Sequence, residues 1–398
     1  MVSSPVARLP FKIGELLILG FVFFNAILCA LLGAGMPITG TTVAATQGAL
    51  FLAFFFLVML RGKLRPVDLI VLLTLVISAG YALAIGKVES VRVMFDVLVV
   101  PVALLFGLRI QVNIWLVIKI AFFANLAFAV VEWFFPSLFL DFLPVGRYYF
   151  ETRSWVAEGA PAFDLSGFYI GAERAGGGYF TAGHRLASLM LDPLTLGYLM
   201  VMVASAAHVL CTSKVQRILY YVGALMLIVL SDSRVALLLV LLIPVLNMRL
   251  MLRLPLLYAF AAFWLCSFVL WYTLGPLLGE FNYRLSLTFN AVADNSIDSL
   301  FGLSEFVGKA NDSGYVYFLN VLGLPVSLLA VWYLDGFRRL ANRSSSAGGV
   351  VVFAFFLAFT MFFGGAALSA KVAIVWGVLV GSLASSGLYS FPIAHDAR

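Results

Sequence analysis

Charged residues are scarce in this sequence. They make up 11% of its 398 positions, while 63% of the residues are hydrophobic. Soluble proteins carry about 25% charged residues, so water is not the main solvent of this chain. The net charge is +6, but the lysines and arginines occur singly between apolar stretches. That pattern argues against nucleic-acid binding and is typical of the loop charges that set membrane topology. The composition therefore predicts an integral membrane protein.

Cysteine and histidine are also rare, with three residues of each. Cys29, Cys211 and Cys266 all fall inside apolar runs, where a thiol behaves as a small buried hydrophobe. We therefore expect neither a disulfide framework nor a metal site. Glycine-rich phosphate loops and zinc-protease spacings are missing as well, and so is an Asp-x-Asp pair in an outside loop. These absences exclude the common signatures of nucleotide-dependent and metal-dependent enzymes.

Long apolar runs dominate the chain instead. A membrane-crossing helix needs about 20 apolar residues. Runs of that kind lie near 13–33, 43–60, 67–85, 91–108, 112–134, 186–211, 216–231, 234–248, 254–275, 314–334, 349–365 and 368–387. The first run is too long for a signal-peptide core, so we expect it to remain as an anchor. The sequence predicts an all-α, polytopic transmembrane helical bundle of about 12 spans, forming one domain over 1–398. The segments around 216–248 are short and leave a re-entrant hairpin as an alternative.

Basic residues set the expected orientation. With the N-terminus in the cytoplasm, every inside turn is basic, as the positive-inside rule requires. The basic residues in these turns are Arg61, Lys63, Arg65, Arg109, Lys214, Arg217, Arg249, Arg253, Arg338, Arg339 and Arg343. An even number of spans returns the C-terminus to the cytoplasm. Two long connections, 135–185 and 276–313, then lie outside as large periplasmic loops. Loops of this length in a compact domain are usually functional or disordered, and the aromatic content of the first argues against disorder.

Polar residues cluster where the first long loop re-enters the membrane. His184 and Arg185 precede the apolar run, and Ser188 and Asp192 follow within it. On a helix, Arg185, Ser188 and Asp192 are spaced i, i+3 and i+7, so we expect them to share one face. An arginine at a helix entrance can instead simply extend to the interface. The partners one and two turns deeper favour a face that lines a cavity.

Two further clusters lie on the same predicted side. One is Ser231-Asp232-Ser233-Arg234, between two short spans, which is either an ordinary turn or a turn dipping below the surface. The other is the second long loop, with Arg284 and the stretch Asp312-Ser313-Gly314-Tyr315. Lys371, just inside the last run, is either an inward-facing cation or one that extends to the interface.

Three arginines, Arg185, Arg234 and Arg284, thus converge on the outer face. Guanidinium binds phosphate through a planar, permanently charged fork, so the pattern favours an anionic ligand such as a lipid-linked diphosphate.

These motifs resemble those of the Wzy-type polysaccharide polymerases and O-antigen ligases of bacterial envelopes. The matching features are Arg185-x-x-Ser188 with Asp192-Pro193 and Gly197, then 231–234, then 312–315 running to Gly323. Within that superfamily the stretch 312–315 looks closest to exopolysaccharide polymerases of the xanthan type. The order of the motifs and the two large outside loops extend the resemblance over most of the chain.

The resemblance implies a metal-independent glycosyltransferase without a cofactor, acting at the periplasmic face of the bacterial inner membrane. It would polymerise undecaprenyl-diphosphate-linked oligosaccharide, with a flippase and a chain-length regulator as protein partners and no nucleic acid. Arg185, Arg234 and Arg284 would bind the diphosphate, and Ser188, Asp192, Asp232 and Tyr315 would support them.

The general base is the point at which the chain departs from the ligase pattern, which has a histidine where this chain has Asp312. Either Asp312 is the base, or His184 takes that role. A structural role for His184 at a loop–helix junction is an equal alternative. Two other functions stay open from the sequence: a ligase that moves finished glycan to another acceptor, and a transporter of lipid-linked glycan.

Overall fold

The computed structural model describes residues 12–61, 64–84, 88–153, 184–248, 253–274, 280–293, 313–341, 347–363 and 369–389. Fifteen α-helices and two single-turn 3-10 helices occupy these ranges, and no strand does. The α-helices are α1 (Ile13–Gly33), α2 (Gly40–Arg61), α3 (Pro66–Ala84), α4 (Val88–Arg109), α5 (Ile114–Phe134), α6 (Pro136–Phe142), α7 (Val145–Thr152), α8 (Pro193–Leu210), α9 (Lys214–Leu230), α10 (Arg234–Leu246), α11 (Leu256–Leu274), α12 (Glu280–Ala293), α13 (Gly314–Ala341), α14 (Ala347–Thr360) and α15 (Ala370–Tyr389). The predicted all-α class is confirmed for the described part of the chain.

Each of the twelve predicted apolar runs overlaps one of these helices. Within the described residues, five helices are long and apolar enough to cross a membrane, namely Ile13–Gly33, Gly40–Leu60, Ile114–Phe134, Pro193–Leu210 and Leu256–Leu274. Shorter apolar helices include α10, whose 13 residues extend only about 20 Å. The chain is therefore a helical membrane protein, while the total of about 12 spans and the side on which the termini lie stay predictions.

The central helix pair is α4 against α15, where glycines let the two backbones touch. A Cβ atom on Gly381 would lie 2.1 Å from the carbonyl oxygen of Leu104, and one on Gly377 would lie 2.5 Å from the Cβ of Ala103. Gly107 of α4 makes the reciprocal approach to α15. Small residues at four-residue spacing are the usual means of close helix packing in membranes, where no hydrophobic effect drives helices together.

One end of the bundle carries a buried ionic network. The Asp68 carboxylate, at the start of α3, is fully buried and accepts hydrogen bonds from Arg65 (2.7 Å) and from the Tyr333 hydroxyl (3.1 Å). Arg109, at the end of α4, approaches the same carboxylate at 3.5 Å. These contacts bring two of the basic turns predicted to be cytoplasmic to the same end of the molecule. Paired in this way, the buried charge of Asp68 is compensated.

Helix α13 is broken in its middle. Gly323 has φ 72° and ψ 169°, a conformation that is not helical and that favours glycine, and Pro325 follows two residues later. The Ser327 hydroxyl donates to the Gly323 carbonyl (2.8 Å), which replaces one of the backbone bonds lost at the break.

Two of the three cysteines are buried as expected, but Cys266 is exposed on α11, so that part of the prediction is wrong. Only 11% of the apolar window of α11 is buried inside the protein. Apolar runs of this length are typical of segments buried by lipid as well as of segments buried by protein. An apolar sequence around a residue cannot distinguish these two kinds of burial.

Candidate functional site

Residues 184–192, here named the re-entry segment, lead from the first long loop into α8. They are mostly non-helical: a single 3-10 turn covers Ser188–Met190, and α8 begins only at Pro193. The prediction that Arg185, Ser188 and Asp192 share one helical face is therefore wrong. Proline fits the first helical position and keeps the preceding residue extended. Asp192 is that residue, and it caps α8 by accepting from the Thr195 amide at 2.9 Å.

Backbone strain is concentrated around this segment. Among the described residues, the non-glycine residues with positive φ are Ser188 (51°), Leu191 (61°) and Asp232 (49°). The left-handed region costs an L-residue roughly 1–2 kcal/mol. Such strain persists only where surrounding contacts enforce it, and it is often found at functional sites. Two of these residues lie in the re-entry segment, and the third lies in the turn that packs against it.

A buried glutamate holds the re-entry segment in place. Glu132, near the end of α5, is 1% exposed. Its carboxylate accepts from the amides of Ser188 (2.6 Å) and Ala187 (3.1 Å). It also lies 2.9 Å from Nε2 of His184. The Ser188 hydroxyl also donates a hydrogen bond of 2.7 Å to the carbonyl of Asn125, which lies about two helical turns before Glu132 on α5. Four contacts to one helix therefore fix the position of the segment.

Arg185 joins the re-entry segment to the second motif. Its side chain is buried, and its Nε donates to the Ser231 carbonyl at 3.0 Å. A second guanidinium nitrogen lies 3.5 Å from the Asp232 carbonyl. The turn it contacts is itself buried, with Ser231, Asp232 and Ser233 all at most 1% exposed. The 231–233 turn is therefore buried inside the protein, while its depth relative to the membrane surface stays a prediction. Arg185 therefore holds the re-entry segment against the 231–233 turn through hydrogen bonds to its backbone.

Gly197 explains how the turn comes so close to α8. A Cβ atom at this position would lie 2.6 Å from the Oγ of Ser233. Only a residue without a side chain leaves room for the buried turn. The glycine of the first motif and the serine of the second are thus in direct contact, which places the two motifs side by side.

Further cations come from other helices. Lys371, at the start of α15, is 7% exposed, and its ammonium donates to the Met190 carbonyl at 2.8 Å. The charges of Arg153 and Asp192 both act on that ammonium. Asp192 and Arg284 in turn both act on the phenol of Tyr198 in α8. Of the two alternatives for Lys371, the inward-facing cation is the one observed.

The predicted site residues fall into three groups. His184, Arg185, Ser188, Asp192 and Asp232 are brought together by the contacts above. Arg234, half-buried at the start of α10, lies two residues after Asp232, and Arg284 of α12 acts electrostatically on Tyr198 of α8, as Asp192 does.

Tyr315 falls outside this assembly. Tyr315 donates its hydroxyl to the Ala358 carbonyl (2.5 Å) and packs on Trp264 and Phe362. Its contacts are those of a packing residue. Asp312 lies outside the residues that the structure describes.

Sequence reasoning missed Glu132 and Arg153, and left Lys371 undecided. The available signal was a single acidic residue near the end of an otherwise apolar run, because ionisable residues inside membranes are costly and usually functional. Arg153 carried no signal of its own, since it ends a short helix in a predicted loop.

The name cationic cluster is used below for Arg153, Arg185, Arg234, Arg284 and Lys371, together with the acids Glu132, Asp192 and Asp232. Hydrogen bonds fix Arg185 and Lys371 against neighbouring segments, and Arg153 and Arg284 act electrostatically on Lys371 and Tyr198. Cations outnumber acids, and the cations come from separate segments of the chain. No group of three or more His, Cys, Asp or Glu side chains suited to a metal ion occurs among the described residues. The cluster is chemically suited to binding an anion by charge and hydrogen bonds.

Comparisons with known proteins add nothing to this chemistry. A scan against protein-family models found no match, and searches of curated proteins and of solved structures found none either. The function therefore has to be inferred from the residues themselves.

Proposed function

We propose that this chain is a glycosyltransferase that polymerises undecaprenyl-diphosphate-linked oligosaccharide repeat units into exopolysaccharide or O-antigen at the periplasmic face of the inner membrane. The observation that supports it most is the cationic cluster at one end of an apolar helical bundle. A ligand that is both membrane-anchored and strongly anionic satisfies both features. Lipid-linked diphosphates have that chemistry.

The reaction needs charge stabilisation at the leaving group. The acceptor hydroxyl attacks the anomeric carbon of the donor, and the bond from that carbon to the diphosphate oxygen breaks. Undecaprenyl diphosphate leaves with the electron pair, and the hydroxyl proton passes to a base. Arg284 and Arg185 bind the diphosphate and stabilise the charge that develops on it, which is often the largest single contribution to catalysis.

His184 is the base candidate among the described residues. Its Nε2 lies 2.9 Å from the Glu132 carboxylate. A carboxylate in this position orients the imidazole and fixes its tautomer. With Nε2 donating to Glu132, Nδ1 carries the lone pair that receives a proton. Asp312 is the alternative base, carried over from the resemblance alone.

An apolar groove supports the lipid-linked substrate. About 470 Å³ of space lies between α11, α12, α13 and α14, next to Trp264, Tyr315 and Leu328. Val292 of α12 also lines it, eight residues or about 12 Å along the helix from Arg284. In the proposal this groove holds the isoprenoid chain, and Arg284 meets the diphosphate at its end.

The test replaces Arg284 by glutamine in cells that lack the wild-type chain. We expect high-molecular-weight polymer to disappear and single lipid-linked repeat units to accumulate, at unchanged membrane levels of the protein. Arg147→Gln is the matched control, because Arg147 is 60% exposed and pairs only locally with Glu151 on α7. Normal polymer from Arg284→Gln overturns the proposal, and accumulation of lipid-linked polymer that is not transferred favours the ligase instead.

The base is tested separately with His184→Gln. If His184 takes the proton, the rate of polymerisation in reconstituted vesicles falls by about 10²-fold or more, at an unchanged amount of folded protein. If only the stability of the protein changes, Asp312 becomes the candidate.

A further inference from the structure

A second groove lies between α5 and α9, away from the cationic cluster. It encloses about 370 Å³. Its wall is aromatic: Trp115 and Phe122 of α5 contact the Tyr220 ring of α9, with ring centroids 4.8 and 5.3 Å apart. Gly223 lets the Phe122 ring pack closely on α9, because a Cβ atom there would lie 2.6 Å from that ring. The groove is therefore preformed by packing within the protein, and it fits a flexible hydrocarbon chain.

One cation, Lys119, lines this apolar wall. Lys119 lies five residues after Ile114, about 7.5 Å along an apolar helix that is long enough to cross a membrane. Within the described part of the chain, its ammonium has no carboxylate partner and no hydrogen-bond acceptor. An ammonium at that depth is costly unless an anion or water compensates it.

A second cation lies close by. Lys119 and Arg217 both act electrostatically on Cys211, and Arg217 donates to the Cys211 carbonyl at 2.8 Å. Gln216 adds an amide to the groove lining. Arg217 belongs to a turn predicted to be cytoplasmic, on the leaflet where anionic lipids produce a negative surface potential. The two cations therefore suit an anionic headgroup, and the aromatic wall suits a hydrocarbon chain. A lipid with an anionic headgroup has both.

We propose that this groove binds one anionic phospholipid, with its phosphate at Lys119 and Arg217 and an acyl chain along the aromatic wall. A soluble anion makes no apolar contact with the aromatic wall, and a zwitterionic lipid gains less binding free energy from the two cations. The site is independent of the proposed glycosyltransferase function, since none of its residues belongs to the cationic cluster. It ties the protein to a lipid of the opposite leaflet.

The test reconstitutes the full chain in phosphatidylcholine vesicles that contain a minority of phosphatidylglycerol. The protein is then extracted in mild detergent, and native mass spectrometry counts the lipids it retains. Wild type should retain phosphatidylglycerol in preference to phosphatidylcholine. Lys119→Gln should reduce that preference about fivefold, the effect expected for one basic residue at a membrane surface. Lys12→Gln is the matched control, because Lys12 is exposed beside α1 and outside the groove.

A second variant keeps the charge and fills the groove. Leu219 lines the groove and is 65% exposed, so Leu219→Trp should fold normally and retain less of both lipids. Unchanged retention in this variant, or an unchanged phosphatidylglycerol preference in Lys119→Gln, overturns the proposal. Displacement of the lipid by soluble glycerol phosphate alone also overturns it, because the site would then bind phosphate without the chain.

Discussion

Replacing Glu132 by alanine should release the re-entry segment without unfolding the bundle. The carboxylate accepts from the buried amides of Ala187 and Ser188 and lies beside His184. A buried donor that loses its acceptor costs about 1–3 kcal/mol, so the two amides together cost ~2–6 kcal/mol. Because the loss is confined to one segment, we expect local opening of that segment.

Hydrogen exchange measures this opening directly. A loss of 2 kcal/mol corresponds to ~30-fold faster exchange, so peptides covering the re-entry segment should exchange at least that much faster in Glu132→Ala. Glu132→Gln keeps one acceptor oxygen and should fall between wild type and alanine. The control is Glu151→Ala, which breaks a solvent-exposed pair with Arg147 worth ~0–1 kcal/mol. If the segment exchanges equally fast in wild type and Glu132→Ala, the glutamate does not hold it.

Two glycines offer sharp tests of the packing. Gly381→Ala should lower the thermal stability of the purified protein by ~1–3 kcal/mol or prevent folding, because the new Cβ would meet the Leu104 carbonyl. Gly48→Ala on α2, where the space around the glycine is open, should leave the stability unchanged. Equal melting temperatures for the two variants would contradict the contact between Gly381 and Leu104. Gly323→Ala should cost ~1–2 kcal/mol through its positive φ, while Gly336→Ala in the same helix, where the added methyl meets nothing, should be close to neutral in the same melting experiment.

Helix positions could be predicted because apolar length is a local property. The run predicted at 13–33 is found as Ile13–Gly33, and the run at 112–134 is found as Ile114–Phe134. The start of α8 shows where that reasoning fails. Hydrophobicity extended the run back to 186, although Asp192-Pro193 is itself a strong helix-start signal: a capping side chain followed by a proline. The local cap determines where the helix begins.

The site was predictable only in part, for a different reason. The motif residues around 185 and 232 could be chosen from the sequence, but what connects them could not. Glu132 lies 52 residues before His184, and Lys371 lies 181 residues after Met190. Such contacts depend on which helices pack together, and periodicity does not encode helix neighbours. Arg185 also makes contacts that the sequence did not indicate, since its guanidinium donates to the backbone of the 231–232 turn.

The glycine contact between α4 and α15 also bears on how the protein is made. The Ser382 hydroxyl lies 3.4 Å from the Gly107 carbonyl, across 275 residues of sequence. At ~5–20 residues per second, α4 waits on the order of 15–50 s after its own synthesis before its partner leaves the ribosome. During that time the exposed backbone groove of α4 must face lipid or an insertion factor. A nascent chain that stops before α15 therefore leaves this side of α4 without its protein partner.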